Sequence, residues 1–256
     1  MNLDLDHALA VARNAALAAG AAINHWYAVG AEVRVKADST PVTEADEGSE
    51  RIIREILAAA FPGHAIHGEE GGTTGSGDWL WLVDPIDGTK SFVRGYPMFS
   101  TQIALMHRGE LVLGVSHASA AGEIAWARRG GGAWLNGVRC RVSDIADWSR
   151  ATLSTGNLKT LARGSGWQRL ASLVEGAHRT RGYGDYYHYH LLASGRLDCV
   201  LESDVNILDI AALAVIVREA GGVFTDLAGC EVGLATTSVL AGTPAMHAHA
   251  LARLRS

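Results

Sequence analysis

Carboxylates gather at the ends of three separate segments of this 256-residue chain. An apolar run, Trp79-Leu80-Trp81-Leu82-Val83, ends in Asp84-Pro85-Ile86-Asp87-Gly88-Thr89. Glu69 and Glu70 stand behind Gly68, and Asp209 precedes the apolar stretch Ile210 to Val217. Oxygen-only donors of this kind suit hard divalent cations, and Mg²⁺ is usually shared between protein carboxylates and a phosphate. Gly88 and Thr89 add backbone N–H groups at a short helix start, a natural cradle for phosphate oxygens.

Each acid has a plainer reading when taken alone. Asp84 and Asp87 fit an Asp-Pro turn with Asp87 capping the next helix. Glu69 and Glu70 fit a solvated loop start, although adjacent carboxylates repel and a bound cation would remove that cost. Asp209 fits a helix N-cap, and Asp46, three residues after Thr43, fits a helix first turn. It is the convergence of several such groups that points to a site. The pairs His188/His190 and His247/His249 are spaced i, i+2 in helical patterns, so their members face different ways and read as packing or surface residues. Asp4-Leu5-Asp6 has aspartyl-phosphate spacing, but no buried strand precedes it. No phosphate-binding loop with Gly-Lys-Ser/Thr and no Gly-x-Ser-x-Gly elbow is present.

The elements that must carry these groups follow from periodicity. Helices are expected over 4–28 and 43–60, the second with Thr43 as N-cap and Pro62-Gly63 as stop. Residues 32–42 read as a strand running into a loop, and 64–70 as a short strand ending at the Glu pair. Gly71 to Gly77 reads as a mobile loop. Strands follow at 79–84, where Pro85 stops the ladder, and at 98–106, 111–117, 123–128 and 133–135. Asn136-Gly137 calls for a tight hairpin. Beyond about residue 145, strands at 151–155, 178–182, 197–202, 222–226 and 237–242 alternate with helices at 166–176, 185–194, 209–220 and 243–254. The first half therefore reads as helices on a largely antiparallel sheet and the second as an α/β layer. The expected division is residues 1–145, with most of the metal ligands, and 146–256, with Asp209 and the specificity residues. The two are packed as one body, because no Pro-rich linker separates them.

Composition removes several classes. A net charge of −5 gives no nucleic-acid footprint. Three scattered cysteines, Cys140, Cys199 and Cys230, lack metal spacing and read as reduced thiols of a cytoplasmic protein. The Ala-rich N-terminus is broken by Arg13, Asn14, Asn24 and His25, so it reads as a helix, not as a signal or membrane segment.

Taken together, Gly68-Glu69-Glu70, Asp84-Pro85-Ile86-Asp87-Gly88-Thr89-x-x-Phe92, and Asp209-x-Ala211-Ala212 with Glu219-Ala220-Gly221-Gly222 resemble the inositol monophosphatase family, in order and spacing over nearly the whole chain. The resemblance implies a layered α-β-α-β-α sandwich of the inositol monophosphatase and sugar phosphatase type, Mg²⁺-dependent hydrolysis of a small phosphorylated alcohol, and a homodimer. It also implies a ligand set. Glu69, Asp84 and the Ile86 carbonyl would hold one Mg²⁺, and Asp84, Asp87 and Asp209 a second. A weaker third would share Glu69. Asp46 and Thr89 would position the attacking water, and the amides of Gly88 and Thr89 would hold the phosphate. Many members carry Trp before the last aspartate, where this chain has Leu208; that residue packs and does not ligate. Such sites work by charge neutralisation and in-line positioning.

Within the family, Thr89-Lys90-Ser91-Phe92-Val93-Arg94-Gly95-x-Pro97 and Arg181-Gly182-Tyr183-Gly184-Asp185-Tyr186 resemble the histidinol-phosphatase branch. Asp185, opening a helix, and Glu202, ending a strand, are expected to line the pocket opposite the metals and to suit a cationic amine. As an alternative, Asp185 caps its helix. Tyr183, Tyr186, Tyr187 and Tyr189 fit either imidazole stacking or packing. Two other readings stay open: a phosphatase for inositol phosphate or another small polyol, and a family member acting mainly as a protein-binding regulator of RNA synthesis.

Overall fold

The computed structural model describes residues 3–30, 32–35, 41–163 and 166–255. Helix α1 spans Leu5–Val29 and buries an alanine stripe that includes Ala8, Ala12, Ala15 and Ala19. Asp4 caps it by accepting from the Asp6 and His7 amides. Strands β1 (Val33–Val35) and β2 (Pro41–Thr43) pair antiparallel, so part of the expected 32–42 strand is a two-stranded ribbon; residues 36–40 lie outside the described residues. Helix α2 spans Glu44–Ala60 and opens on a full capping box between Thr43 and Asp46.

A large sheet follows. Its strands are β3 (Ala65–Gly68), β4 (Gly72–Thr74), β5 (Trp79–Asp87), β6 (Ser100–His107), β7 (Glu110–Ala118), β8 (Glu123–Arg128), β9 (Gly132–Leu135) and β10 (Val138–Cys140), with the short helix α3 (Thr89–Val93) between β5 and β6. The order is β10-β9-β8-β7-β6-β5-β3-β4, antiparallel except where β3 runs parallel to β5. Two expectations need correction here, and a third is met. The Gly71–Gly77 segment is not simply a loop, because Gly72–Thr74 pairs antiparallel with β3. Pro85 does not stop β5: the strand absorbs it in a register shift between Asp84 and Asp87 and continues to Asp87. Beyond the Asn136-Gly137 turn, whose φ values are +50° and +81°, a further strand, β10, completes the hairpin.

The second sheet contains β11 (Thr152–Thr155), β12 (Arg179–Arg181), β13 (Cys199–Ser203), β14 (Val223–Thr225) and β15 (Ser238–Gly242), ordered β12-β11-β13-β15-β14. Its helices are α4 (Gly166–Gly176), α5 (Asp185–Ala193), α6 (Ile207–Glu219) and α7 (Pro244–Arg255). Helices α1 and α2 cover one face of the large sheet and α6 covers the other. Helix α5 lies beside α6 between the sheets, and α4 with α7 closes the outer face of the second sheet. The result is the expected α-β-α-β-α sandwich. Helix α6 is apolar on nearly every face because it is buried from both sides, Ile210 to Val217 being almost wholly inaccessible. One core joins Leu82 and Ala104 of the first sheet to Val200 and Val239 of the second through this helix. Among the described residues no helix is long and apolar enough to cross a membrane.

Candidate metal and phosphate site

The end of β5, the start of α3, the β3–β4 turn and the start of α6 meet in one pocket. It is lined by Glu69, Asp84, Ile86, Asp87, Gly88, Thr89, Lys90, Ser91, Asn157, Asp185 and Asp209. Asp84, Asp87 and Asp209 each present a carboxylate oxygen, all within 4.8 Å of one another. The bulge in β5 makes this possible: in regular β-structure residues three apart face opposite sides of the sheet. Asp84 Oδ1 accepts from the Ile86 amide at 3.0 Å, which fixes the turn.

Electrostatics shows what the cluster lacks. Burial, with repulsion from Glu69, Asp87 and Asp209, pushes the Asp84 carboxyl well above its ordinary range. Burial and the charges of Asp185 and Asp209 do the same to Asp87. Asp209 is pushed up to about 7, mainly by burial, against the opposing hydrogen bond from the Asn206 amide. Three acids that suppress one another's ionisation form a hard-oxygen donor set for a divalent cation. A bound cation would reverse the sign of the local field and keep all three ionised.

Asp209 reaches the cluster otherwise than expected. Helix α6 begins at Ile207, not at 209. Asn206 is its N-cap, and Asp209 is the third helical residue, accepting from the Asn206 amide at 2.8 Å. The capping box fixes the Asp209 rotamer.

Thr89 and Asp46 are also brought together. Thr89 Oγ1 lies 3.1 Å from Asp46 Oδ1 and 3.0 Å from the Ile86 carbonyl. The other oxygen of Asp46 accepts from the Thr43 amide at 2.7 Å and the Thr43 hydroxyl at 2.6 Å. Burial raises the Asp46 carboxyl, and these hydrogen bonds offset part of that. Gly88 precedes α3 at φ +91°, and a Cβ there would lie 2.5 Å from the Met98 carbonyl, so only glycine fits. Helix α3 opens at this pocket, which Gly88, Thr89 and Lys90 line, while the Ser91 and Phe92 amides donate to the Gly88 carbonyl.

The wall opposite differs from expectation in two ways. Asp185 lines the pocket, but it is not the helix N-cap. Gly184 holds that position, and Asp185 follows at φ +46°, a left-handed backbone uncommon for a residue with a side chain. No hydrogen bond or ion pair among the described residues reaches its carboxylate, and burial with the Glu202 charge raises it to about 6. Glu202 does not line the pocket. It is 3% exposed and sits behind the wall, accepting from the Tyr189 hydroxyl at 2.8 Å and the Asn157 amide at 3.1 Å, with His188 Nε2 at 3.2 Å. Burial alone would raise its carboxyl, but these partners outweigh burial and hold it below its usual range. A strand-end acid had looked accessible in sequence; a Cβ on Gly156 would come 1.9 Å from it, so the backbone lies directly over its carboxylate.

The tyrosines are packing residues first. Tyr186 and Tyr189 are 2% and 1% exposed, and neither lines the pocket. His190 is buried against Glu123 and Ser116, His247 bonds Thr225, and His249 stacks on Trp148. Lys90 and Asn157 line the pocket without having been singled out. Lys90 adjoins Thr89 and was legible, whereas Asn157 arrives only through the pairing of β11 with β13.

The chain is similar to known proteins over most of its length. A histidinol-phosphatase of Mycobacterium tuberculosis is 40% identical over 230 residues, covering 88% of each chain. An inositol-1-monophosphatase of Rhizobium meliloti is 38% identical over 221 residues, covering 82% of this chain and 81% of that protein. The crystal structure of extragenic suppressor protein suhB from Bartonella henselae superposes with a TM-score of 0.90 at 30% identity, over 98% of this chain and 99% of that one. The sequence profile of one family matches residues 4–256, and with that match the chain belongs to the inositol monophosphatase family and is a phosphoric monoester hydrolase.

Proposed function

We propose that the protein is a Mg²⁺-dependent histidinol-phosphate phosphatase. The observation that carries the substrate assignment is Asp185, an acid without a hydrogen-bond or ion-pair partner among the described residues, on the same pocket as the phosphate-binding turn. Similarity alone does not choose, because the relatives named for histidinol phosphate and for inositol phosphate are about equally identical to this chain. The pocket wall favours a cation. An ammonium would bring Asp185 down from about 6 and keep it ionised. A neutral polyol would leave that carboxylate desolvated and unpaired.

The cluster of Asp84, Asp87 and Asp209 supports the metal reading. Glu69, Asp84 and the Ile86 carbonyl would hold one Mg²⁺ and Asp84, Asp87 and Asp209 a second, with a weaker third sharing Glu69. When bound, the metals supply charge neutralisation for the phosphoryl oxygens and activation of the attacking water. The chain's own residues do the rest. The Thr89 hydroxyl carries a single proton between two acceptors, the Asp46 carboxylate and the Ile86 carbonyl. Donation toward Asp46 turns the oxygen's lone pairs to the pocket, where they accept from and orient a water. Thr43 keeps Asp46 from rotating away. The amides of Gly88 and Thr89 hold phosphate oxygens without a net charge change.

The test is phosphate release with Mg²⁺ from histidinol phosphate, inositol 1-phosphate, fructose 1,6-bisphosphate and adenosine 3′,5′-bisphosphate. The highest kcat/KM is expected with histidinol phosphate. A preference for inositol 1-phosphate would overturn the substrate assignment and leave the metal site standing.

A further inference from the structure

We propose that Glu50 is a positioning residue for the metal site, setting where Glu69 stands. The inference rests on the metal reading above. Glu50 lies on α2 one turn after Asp46, and Arg54 one turn after that, so all three share a helix face. Glu50 is 2% exposed. A carboxylate on a buried helix face needs a reason, because burying a charge costs heavily unless it is paired and hydrogen-bonded.

The reason is the β3–β4 turn. Glu50 Oε2 accepts from the Glu70 amide at 2.7 Å, and Oε1 accepts from the Gly71 amide at 2.8 Å. Arg54 Nε donates to Oε1 at 2.6 Å and completes the charge pairing. The same guanidinium donates to the Gly72 carbonyl at 2.5 Å and the Thr74 hydroxyl at 3.0 Å. The Glu69 amide donates to the Val83 carbonyl of β5 at 3.2 Å. Three successive amides, 69 to 71, are therefore all engaged, one by the sheet and two by Glu50. The Glu69 backbone is tied to β5 on one side and to α2 on the other.

The flanking glycines fit the same account. A Cβ on Gly68 would lie 2.5 Å from the Glu50 carboxylate, and one on Gly71 would lie 2.8 Å from it. Both positions need glycine for close approach, not for unusual φ. One face of α2 thus serves the site twice: Asp46 holds Thr89, and Glu50 holds the turn that presents Glu69. Partners that orient metal ligands are worth about 10–100-fold in metal affinity.

The experiment compares wild type with E50Q and G71A, on the full-length protein. Glutamine keeps the shape but offers one acceptor oxygen where two amides need two. Alanine at position 71 keeps Glu50 and pushes the turn off it, so the two variants disturb one contact from opposite sides. Mn²⁺ binding by calorimetry is expected to weaken about 10–100-fold in both. The rate lost at low Mg²⁺ is expected to return largely as Mg²⁺ is raised, because the metal's apparent affinity has changed more than the chemistry. In the metal-free protein, amide exchange across Glu69–Gly72 is expected to speed up, while exchange in β6 and β7 stays slow. Unchanged Mn²⁺ affinity in both variants, with melting temperature alone reduced, would make Glu50 a stability residue and overturn the proposal. If wild type binds no Mn²⁺, the metal reading fails instead, and slow exchange at Glu70 and Gly71 still tests whether Glu50 holds the turn.

Discussion

Thr89 Oγ1 stands 3.1 Å from Asp46 Oδ1, across a separation of 43 residues. The hydroxyl is therefore not an isolated donor but one half of a unit whose other half is clamped by Thr43. Replacing Thr89 by Val keeps the shape and removes the hydroxyl. Assistance of this kind contributes roughly 10²–10⁴-fold, and kcat should fall within that range. KM should move much less, since the amides of Gly88 and Thr89 are the proposed phosphate holders. Adding Asp46→Asn to Thr89→Val should cost little more, because members of one catalytic unit are not additive. Steady-state kinetics of the two single variants and the double variant checks this; multiplicative losses would give the residues separate roles.

The acid cluster predicts a pH-dependent response to metal. In the metal-free protein Asp84, Asp87 and Asp209 have raised values, Asp209 reaching about 7. A carboxyl raised on folding adds stability below its unfolded value, near 4, and loses it as pH rises through the folded one. A cation needs the ionised form, so its stabilising effect moves the other way. The gain in melting temperature on adding Mg²⁺ should therefore grow from pH 5 to pH 8. A gain that is flat or falls with pH would place the cation elsewhere.

Asp84→Asn should be the most damaging single change to activity, because Asp84 is assigned to both metals. Phosphate release should disappear and Mg²⁺ should no longer raise the melting temperature, while the metal-free fold persists, since a buried repulsion has been relieved. Circular dichroism and calorimetry separate these outcomes. An unfolded variant would give Asp84 a structural role.

Asp185→Asn tests substrate choice. Asparagine tolerates the left-handed backbone at φ +46°, so the wall keeps its shape. A hydrogen bond to a charged group is worth about 1.5–3 kcal/mol. At 1.4 kcal/mol per decade, kcat/KM for histidinol phosphate should fall ~10–150-fold. Inositol 1-phosphate should be nearly unaffected. Equal losses on both substrates would assign Asp185 to backbone geometry alone.

Gly156→Ala tests the wall from behind. Its Cβ would overlap the Glu202 carboxylate, which the Tyr189 hydroxyl holds in place. Overpacking of this kind costs about 1–3 kcal/mol. At roughly 2–4 °C per kcal/mol for a domain of this size, melting should fall by several degrees, and substrate KM should rise because Asn157 is displaced. A neutral variant would show that the turn is freer than the hydrogen bond from Asn157 to Glu202 implies.

Much of this protein was written locally. The Thr43–Asp46 box, helix α4 at 166–176, strand β8 at 123–128 and the Asn136-Gly137 turn appear where periodicity and capping chemistry put them. These depend on neighbours within a few residues, and such preferences survive in any context that does not oppose them. The acids that meet in the pocket stood out for a related reason: several carboxylates gather at the ends of separate elements. What required the tertiary structure is everything set by distant packing. Pro85 is tolerated within β5 because a bulge takes up the missing donor. Glu202 turned from a wall residue into a buried anchor because Tyr189 and His188 of α5 and Asn157 after β11 converge on it. Glu50 carries no signal of its own in the sequence; its role depends on the β3–β4 turn, which meets it from 20 residues away. Side-chain types announce the chemistry a chain can perform. Which of those side chains face the substrate, and which hold the others in place, is decided by burial, and burial belongs to the whole fold.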